Sequence, residues 1–256
     1  MAWLYLAEEL DEGLRPGDIV EVRGAEAKHM GVSRMRIGER VQVANGRGFV
    51  IDGELTALER DRATVAVARA RALPEPSPRM TVVQALAKGG RDELAVQVAT
   101  ELGAAAFVPW QAQRSVSRWD QKAEKGRERW AAVAREASKQ SLSAWVPEVL
   151  PVHTTPQVAG LAEAAPMLVL DPLGDTSLSD ALRDARGLSE RGLTLVVGPE
   201  GGIDEAEFEQ LEAAGARRVH LGTGVLRTSS AAPAAIAAIL ALSGSWDSRQ
   251  PESTES

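Results

Sequence analysis

Residues 73–78 read Leu-Pro-Glu-Pro-Ser-Pro, three prolines in six positions. Each proline fixes φ and withdraws a backbone donor, so neither a helix interior nor a central strand can run through this stretch. It reads as a linker, and the patterning changes across it. Before it come short runs rich in β-branched residues, at 18–22, 40–43, 48–51 and 63–68, split by Gly, Asn and Asp. Asn45-Gly46 between the second and third runs predicts a hairpin, because both residues accept positive φ. Residues 1–73 are therefore expected to form a small β-barrel.

After the linker, compact apolar runs alternate with helical patterns. Strands are expected at 80–86, 106–109, 167–170, 193–197 and 218–221, with helices at 91–102, 119–139, 177–186, 204–214 and 230–242. Uninterrupted apolar strands suit a parallel sheet covered on both faces, so residues 79–246 read as an α/β domain. The tail 247–256 is polar and expected to be disordered. At 204–214 the helix start can be argued residue by residue. Asp204 is an N-cap, Glu207 stands at the capping-box position, and Ile203 with Phe208 forms a hydrophobic staple. In the last helix Thr228 or a following serine is expected to cap, with Pro233 in or near the first turn.

The chain has no cysteine, which excludes disulfides and thiolate chemistry and suits the cytoplasm. Three scattered histidines argue against a zinc site. No run of about 18 apolar residues could span a membrane, and the N-terminus lacks the basic start of a signal peptide. A net charge of −7 argues at first sight against nucleic acid. Two stretches, 28–47 and 114–139, nevertheless each carry a net +4. A solvated face is the better reading of any one such run, whereas two of them in an acidic chain weakly favour a polyanionic partner. Among the six tryptophans, Trp110 past a strand end is the candidate for base stacking, the others for core or interface.

Two loops carry the chemistry. Val197-Gly-Pro-Glu-Gly-Gly-Ile203 and Leu221-Gly-Thr-Gly-Val-Leu-Arg-Thr-Ser-Ser230 each join a strand to a helix. In an open α/β sheet, ligands bind beyond the carboxyl ends of the strands. The glycines give a ligand access to the main chain, although tight turns alone would also explain them. The chain has no P-loop motif and no dinucleotide fingerprint. Glu200 would repel a phosphate, so a phosphate-free cofactor with a cationic centre fits better.

Gly198-Pro-Glu-Gly-Gly202, then Leu221-Gly222 and Val225-Leu-Arg-Thr228, resembles the signature of the RsmE family, SPOUT-class methyltransferases of small-subunit ribosomal RNA. Ala99-Thr-Glu-Leu-Gly103, Arg114-Ser115, Lys139-Gln-Ser141, Val146-Pro147 and the stretch from His29 through Arg34 to Gly38 also match in order, so the likeness covers nearly the whole chain. It departs from the family at Val98, at Ser143 and at Ser229, where a carboxylate is common.

The resemblance implies a SPOUT-type parallel sheet with a C-terminal trefoil knot and an N-terminal PUA-like β-barrel. It implies a homodimer that takes a methyl group from S-adenosylmethionine to N3 of a uridine in 16S ribosomal RNA, free or in the small subunit. Cofactor residues would be Leu170, Gly198, Pro199, Glu200, Gly201, Gly202, Leu221, Gly222, Val225, Leu226 and Thr228. RNA would meet Lys28, His29, Arg34, Arg36 and Arg114. Arg227 is the catalytic candidate, as a cation beside the uracil anion; a salt bridge to Glu200 is its alternative role. Glu200 could instead bond its own loop. No metal is implied. Rival readings are a SPOUT enzyme acting on a ribose 2′-hydroxyl or another base, a small-molecule methyltransferase, and a non-catalytic RNA-binding assembly factor.

Overall fold

The computed structural model describes residues 3–184 and 192–247. The chain divides into two compact units, one of residues up to Glu75 with Arg135–Val146, the other beginning at Pro76 and resuming at Pro147. The division falls inside the proline-rich stretch. The expected linear order 1–73 then 79–246 does not contain the return of Arg135–Val146 to the first unit. Most of the expected tail lies outside the described residues.

In the first unit, strands β1 (Leu4–Leu6), β2 (Ile19–Arg23), β3 (Arg40–Ala44), β4 (Phe49–Leu58) and β5 (Arg62–Ala72) form one sheet. Its order is β1-β3-β4-β5-β2, with β1 and β2 as its edges. All pairings are antiparallel except β1 with β3. Tyr5, Val43, Ile51, Leu55 and Val65 fill its core, along with Met30 of helix α1 (Gly24–Val32). The sequence pattern missed both β1 and α1. The Asn45-Gly46 hairpin is real but built differently. Gly46 and Gly48 take positive φ, whereas Asn45 does not. Asn45 is buried, and its Oδ1 accepts from the N–H groups of Arg47 and Phe49 at 2.8 and 3.1 Å. The asparagine holds the turn through its side chain.

The second unit holds seven strands. They are β6 (Met80–Ala85), β7 (Ala106–Trp110), β8 (Glu148–Val149), β9 (Met167–Leu170), β10 (Thr176–Ser177), β11 (Leu193–Val197) and β12 (Arg217–His220). Their order is β10-β12-β9-β11-β6-β7-β8, and every pairing is parallel. Alternate side chains go to opposite faces. Val82, Leu168 and Leu195 point to one core, with Val96 and Ala99 of α2 (Arg91–Glu101) and Ala232, Ala235 and Ile236 of α7 (Thr228–Leu242). Val83, Val169 and Val196 point to the other, with Val158 of α4 (Thr155–Gly160) and Phe208 and Leu211 of α6 (Glu205–Ala213). Each buried Val, Leu, Ile or Phe side chain among them stabilises the fold by about 1.5–3 kcal/mol, which is why the strands are apolar on both sides. Helix α3 (Ala123–Gln140) follows a short 3-10 turn, and α5 (Leu178–Asp184) follows β10. The expected continuation of α5 to 186 lies outside the described residues.

Trp110 is fully buried, and its Nε1 donates to Thr155 Oγ1 at 3.2 Å. It is a core residue, which corrects its reading as a stacking platform. The basic run 114–139 is largely neutralised: Arg127 pairs with Glu124, Arg129 with Glu93, Arg135 with Glu8 and Glu26, and Lys139 with Glu26 and Glu136.

Candidate active site

The segments after β9, β11 and β12 leave the carboxyl ends of neighbouring strands in the parallel sheet. They enclose a cavity of about 660 Å³. This is the position at which open α/β sheets take ligands.

The first loop is fixed from several sides. Gly202 takes φ +75° and its N–H donates to the Pro199 carbonyl at 2.9 Å. Gly198 has a different reason to be glycine: a Cβ there would sit 2.6 Å from Ile203 Cγ1. Ile203 and Phe208 are buried in one cluster, as a staple requires. Asp204 Oδ1 accepts from Ala206 N–H at 3.2 Å, and Glu207 Oε2 accepts from Asp204 N–H at 3.3 Å. Glu200 Oε1 accepts from Arg91 at 2.8 Å and from Lys88 N–H at 3.3 Å. Burial pushes the Glu200 carboxyl up. Its own backbone N–H, Arg91 and the Lys88 N–H outweigh that and hold it below the usual glutamate range. It accepts from its own loop and, beyond that expectation, from the 88–91 segment.

The second loop is mostly exposed. Gly222 takes φ +96°, and its N–H donates to His220 Nδ1 at 3.2 Å. Arg227, not Thr228, is the N-cap residue of α7, and it caps without a side-chain bond. Thr228 is already helical, and Pro233 lies inside the helix. The Thr228 hydroxyl is committed elsewhere, donating to the Gly198 carbonyl at 2.8 Å and accepting from Gln84 Nε2 at 2.8 Å. One buried hydroxyl thus ties together β6, the first loop and the end of the second. Gln84 was missed at the sequence level; a polar residue inside an apolar strand was its signal.

Of the expected cofactor residues, Leu170, Gly198, Pro199, Glu200, Gly202, Val225, Leu226 and Thr228 line the cavity, as does Arg227. Gly201, Leu221 and Gly222 do not. Gly201 faces the Arg114 backbone, and Leu221 packs partly buried against the core. Arg114, expected at RNA, also lines the cavity and donates to Asp204 Oδ2 at 2.8 Å. Lys28, Arg34 and Arg36 are exposed in the first unit, with no carboxylate partner among the described residues. His29 is half-buried, with Nδ1 3.5 Å from Lys139 Nζ and its ring edge-on to Tyr5.

Arg218 and Asp171, absent from the sequence expectations, also line the cavity. Arg218 places Nε and a terminal nitrogen 2.9 and 2.7 Å from Asp171 Oδ2, with its guanidinium 3.9 Å from the Phe208 ring centre. Burial lowers the Arg218 pKa, but Asp171 and the acids beside it raise it overall. The cavity therefore has four arginines. Arg91 is paired with Glu200, Arg114 with Asp204 and Arg218 with Asp171. Arg227 has no carboxylate partner among the described residues. Among those residues, no three His, Cys, Asp or Glu side chains form a group that could hold a metal, and no helix is long and apolar enough to cross a membrane.

Residues 74–240 match the family model of an RNA methyltransferase domain, and residues 22–68 that of an RNA methyltransferase PUA domain. The chain is thus an RNA methyltransferase domain with an RNA methyltransferase PUA domain before it. Ribosomal RNA small subunit methyltransferase E of Mycobacterium bovis is 38% identical over 96% of this chain and 94% of its own length. Its Bacillus subtilis counterpart is 33% identical over 92% and 94%. The Neisseria gonorrhoeae counterpart, solved bound to S-adenosyl methionine, superposes with a TM-score of 0.84 at 28% identity, covering 94% of this chain and 98% of that one. The chain belongs to the ribosomal RNA small subunit methyltransferase E family.

Proposed function

We propose that this chain is a cytoplasmic, homodimeric, S-adenosylmethionine-dependent methyltransferase that methylates N3 of a uridine in 16S ribosomal RNA. The observation that carries this reading is Arg227, an exposed guanidinium with no carboxylate partner among the described residues, at a cavity walled by two glycine-rich loops.

The cavity suits the cofactor. Its volume falls in the range of small-molecule sites, about 300–1,000 Å³. Leu170, Val197, Ile203 and Val225 give apolar walls, and Glu200, bonded to Arg91, lines the same cavity. These residues, with Gly198, Pro199, Gly202, Leu226 and Thr228 lining the cavity and Gly201, Leu221 and Gly222 shaping its turns, would hold it. When bound, S-adenosylmethionine supplies an electrophilic methyl group.

Uracil N3–H is a weak acid, and its anion is the nucleophile. The Arg227 guanidinium stabilises that anion where it forms, which lowers the barrier without a change in the protein's own charges. Glu200, held below its usual range and bonded to Arg91, is a poor proton acceptor, so no general base is assigned. Lys28, Arg34 and Arg36, with His29 beside them, and Arg114 at the cavity would meet RNA phosphates. The trefoil knot and the domain division 1–73, 79–246 and 247–256 belong to the same reading.

Arg227→Ala should lower kcat about 100-fold or more. Cofactor affinity, measured by calorimetry, should stay within about 2-fold. Equal losses in both would overturn the role of Arg227. Mass spectrometry of nucleosides from treated 16S RNA should show N3-methyluridine; a ribose methyl or another base would overturn the site of transfer.

A further inference from the structure

We infer that Glu207 is a positioning residue for Arg114, beyond its role in capping α6. The inference rests on the reading that Arg114 meets RNA at this cavity.

A capping-box glutamate needs one oxygen for its task and ordinarily sits at the surface. Glu207 is only 6% exposed and uses both oxygens. Oε2 accepts from Asp204 N–H, which is the cap. Oε1 accepts from the N–H of Gln113 at 2.9 Å and from the Thr155 hydroxyl at 2.6 Å. Thr155 Oγ1 in turn accepts from the Trp110 indole. One buried carboxylate thus joins α6, the start of α4 and the turn that follows β7.

Gln113 is the residue before Arg114. The Arg114 guanidinium ends on Asp204, the residue Glu207 also holds. Its main chain lies against the first loop, because a Cβ at Gly201 would stand 3.4 Å from both Arg114 Cβ and its carbonyl oxygen. Arg114 is therefore fixed at its backbone through Glu207 and at its tip through Asp204. Its side chain remains 50% exposed at the cavity, open to a phosphate. Ordering an arginine before the ligand arrives removes part of the entropy cost of binding.

The test uses the full chain and a 16S RNA transcript. Glu207→Ala should raise KM for the RNA about 10-fold, with kcat within about 2-fold and a much smaller fall in cofactor affinity, since the α6 cap borders the cofactor loop. In an Arg114→Ala background the same substitution should add less than about 2-fold, because both act on one contact. Amide exchange across residues 111–116 should quicken. Glu207→Asp, which keeps the charge but shortens the reach, should shift KM the same way by less, and it carries the test if the alanine variant does not fold. Multiplying effects of Glu207→Ala and Arg114→Ala, a cofactor affinity that falls in step with KM, or unchanged exchange at 111–116 would each overturn the inference. If the wild type methylates no RNA, the functional reading fails instead, and the exchange measurement still decides whether Glu207 holds the turn.

Discussion

The two glycine-rich loops of the cavity look alike in sequence and are built on opposite plans. The loop at 198–203 is held by Arg91 and Lys88 through Glu200, by the staple of Ile203 on Phe208, by the α6 cap and by Thr228 on Gly198. The loop at 221–227 is held near its ends, at Gly222 and at Thr228, and between them presents Val225, Leu226 and Arg227 to solvent. A wall that must receive the same small cofactor every time gains from being fixed in advance. A wall that must meet a large RNA gains from exposed, unpaired groups. We propose that the fixed loop serves the cofactor alone, whereas the open loop turns Val225 and Leu226 to the cofactor and Arg227 to the RNA.

The contrast can be broken by substitutions of matching chemistry. Gly198→Ala should have the largest effect, because its Cβ would press into Ile203 Cγ1 at 2.6 Å. Overpacking of this kind costs about 1–3 kcal/mol and should weaken cofactor binding by calorimetry as the loop shifts. Thr228→Val comes next. It keeps the shape but strips the hydroxyl from the Gly198 carbonyl and from Gln84, and a buried group left unpaired costs about 1–3 kcal/mol in urea unfolding.

Glu200→Gln should do less, no more than about 1 kcal/mol, since the pair with Arg91 is partly exposed. Its signature lies in pH. The Glu200 carboxyl is lowered in the fold, so its contribution is fully present above the ordinary glutamate pKa of about 4.3 and is lost as pH falls through the lower folded value. Stability curves of the wild type and Glu200→Gln should therefore converge below that range; a constant gap down to strong acid would show that the charge is not what holds the loop. Gly224→Ala should be smallest. Its Cβ meets nothing within 4 Å and its φ is ordinary, so stability should stay within about 0.5 kcal/mol. A large loss there would erase the distinction between the loops.

The strands of the second unit were legible because their apolar runs are continuous; β9 and β11 fall on the residues the pattern names. The α6 start was legible because its cap, box and staple all lie within six residues. Strands β1, β8 and β10 were missed, since two or three residues carry no period. Helix α1 was missed because it begins at a glycine, without a side-chain cap. Thr228 was misread as a cap because its hydroxyl had a distant use that no local rule reveals.

The sequence by itself determined the alternation of buried strands and helices, the break at the prolines and the two turns that end at the cavity. All of these follow from spacing over a few residues. Only the tertiary structure decided how the charges divide. Arg91 finds Glu200 across 109 positions, Arg114 finds Asp204 across 90, and Arg218 finds Asp171 across 47. Those partners meet only when the carboxyl ends of parallel strands are brought side by side. What remains after they pair, the exposed guanidinium of Arg227 at the cavity, is a property of the assembled sheet.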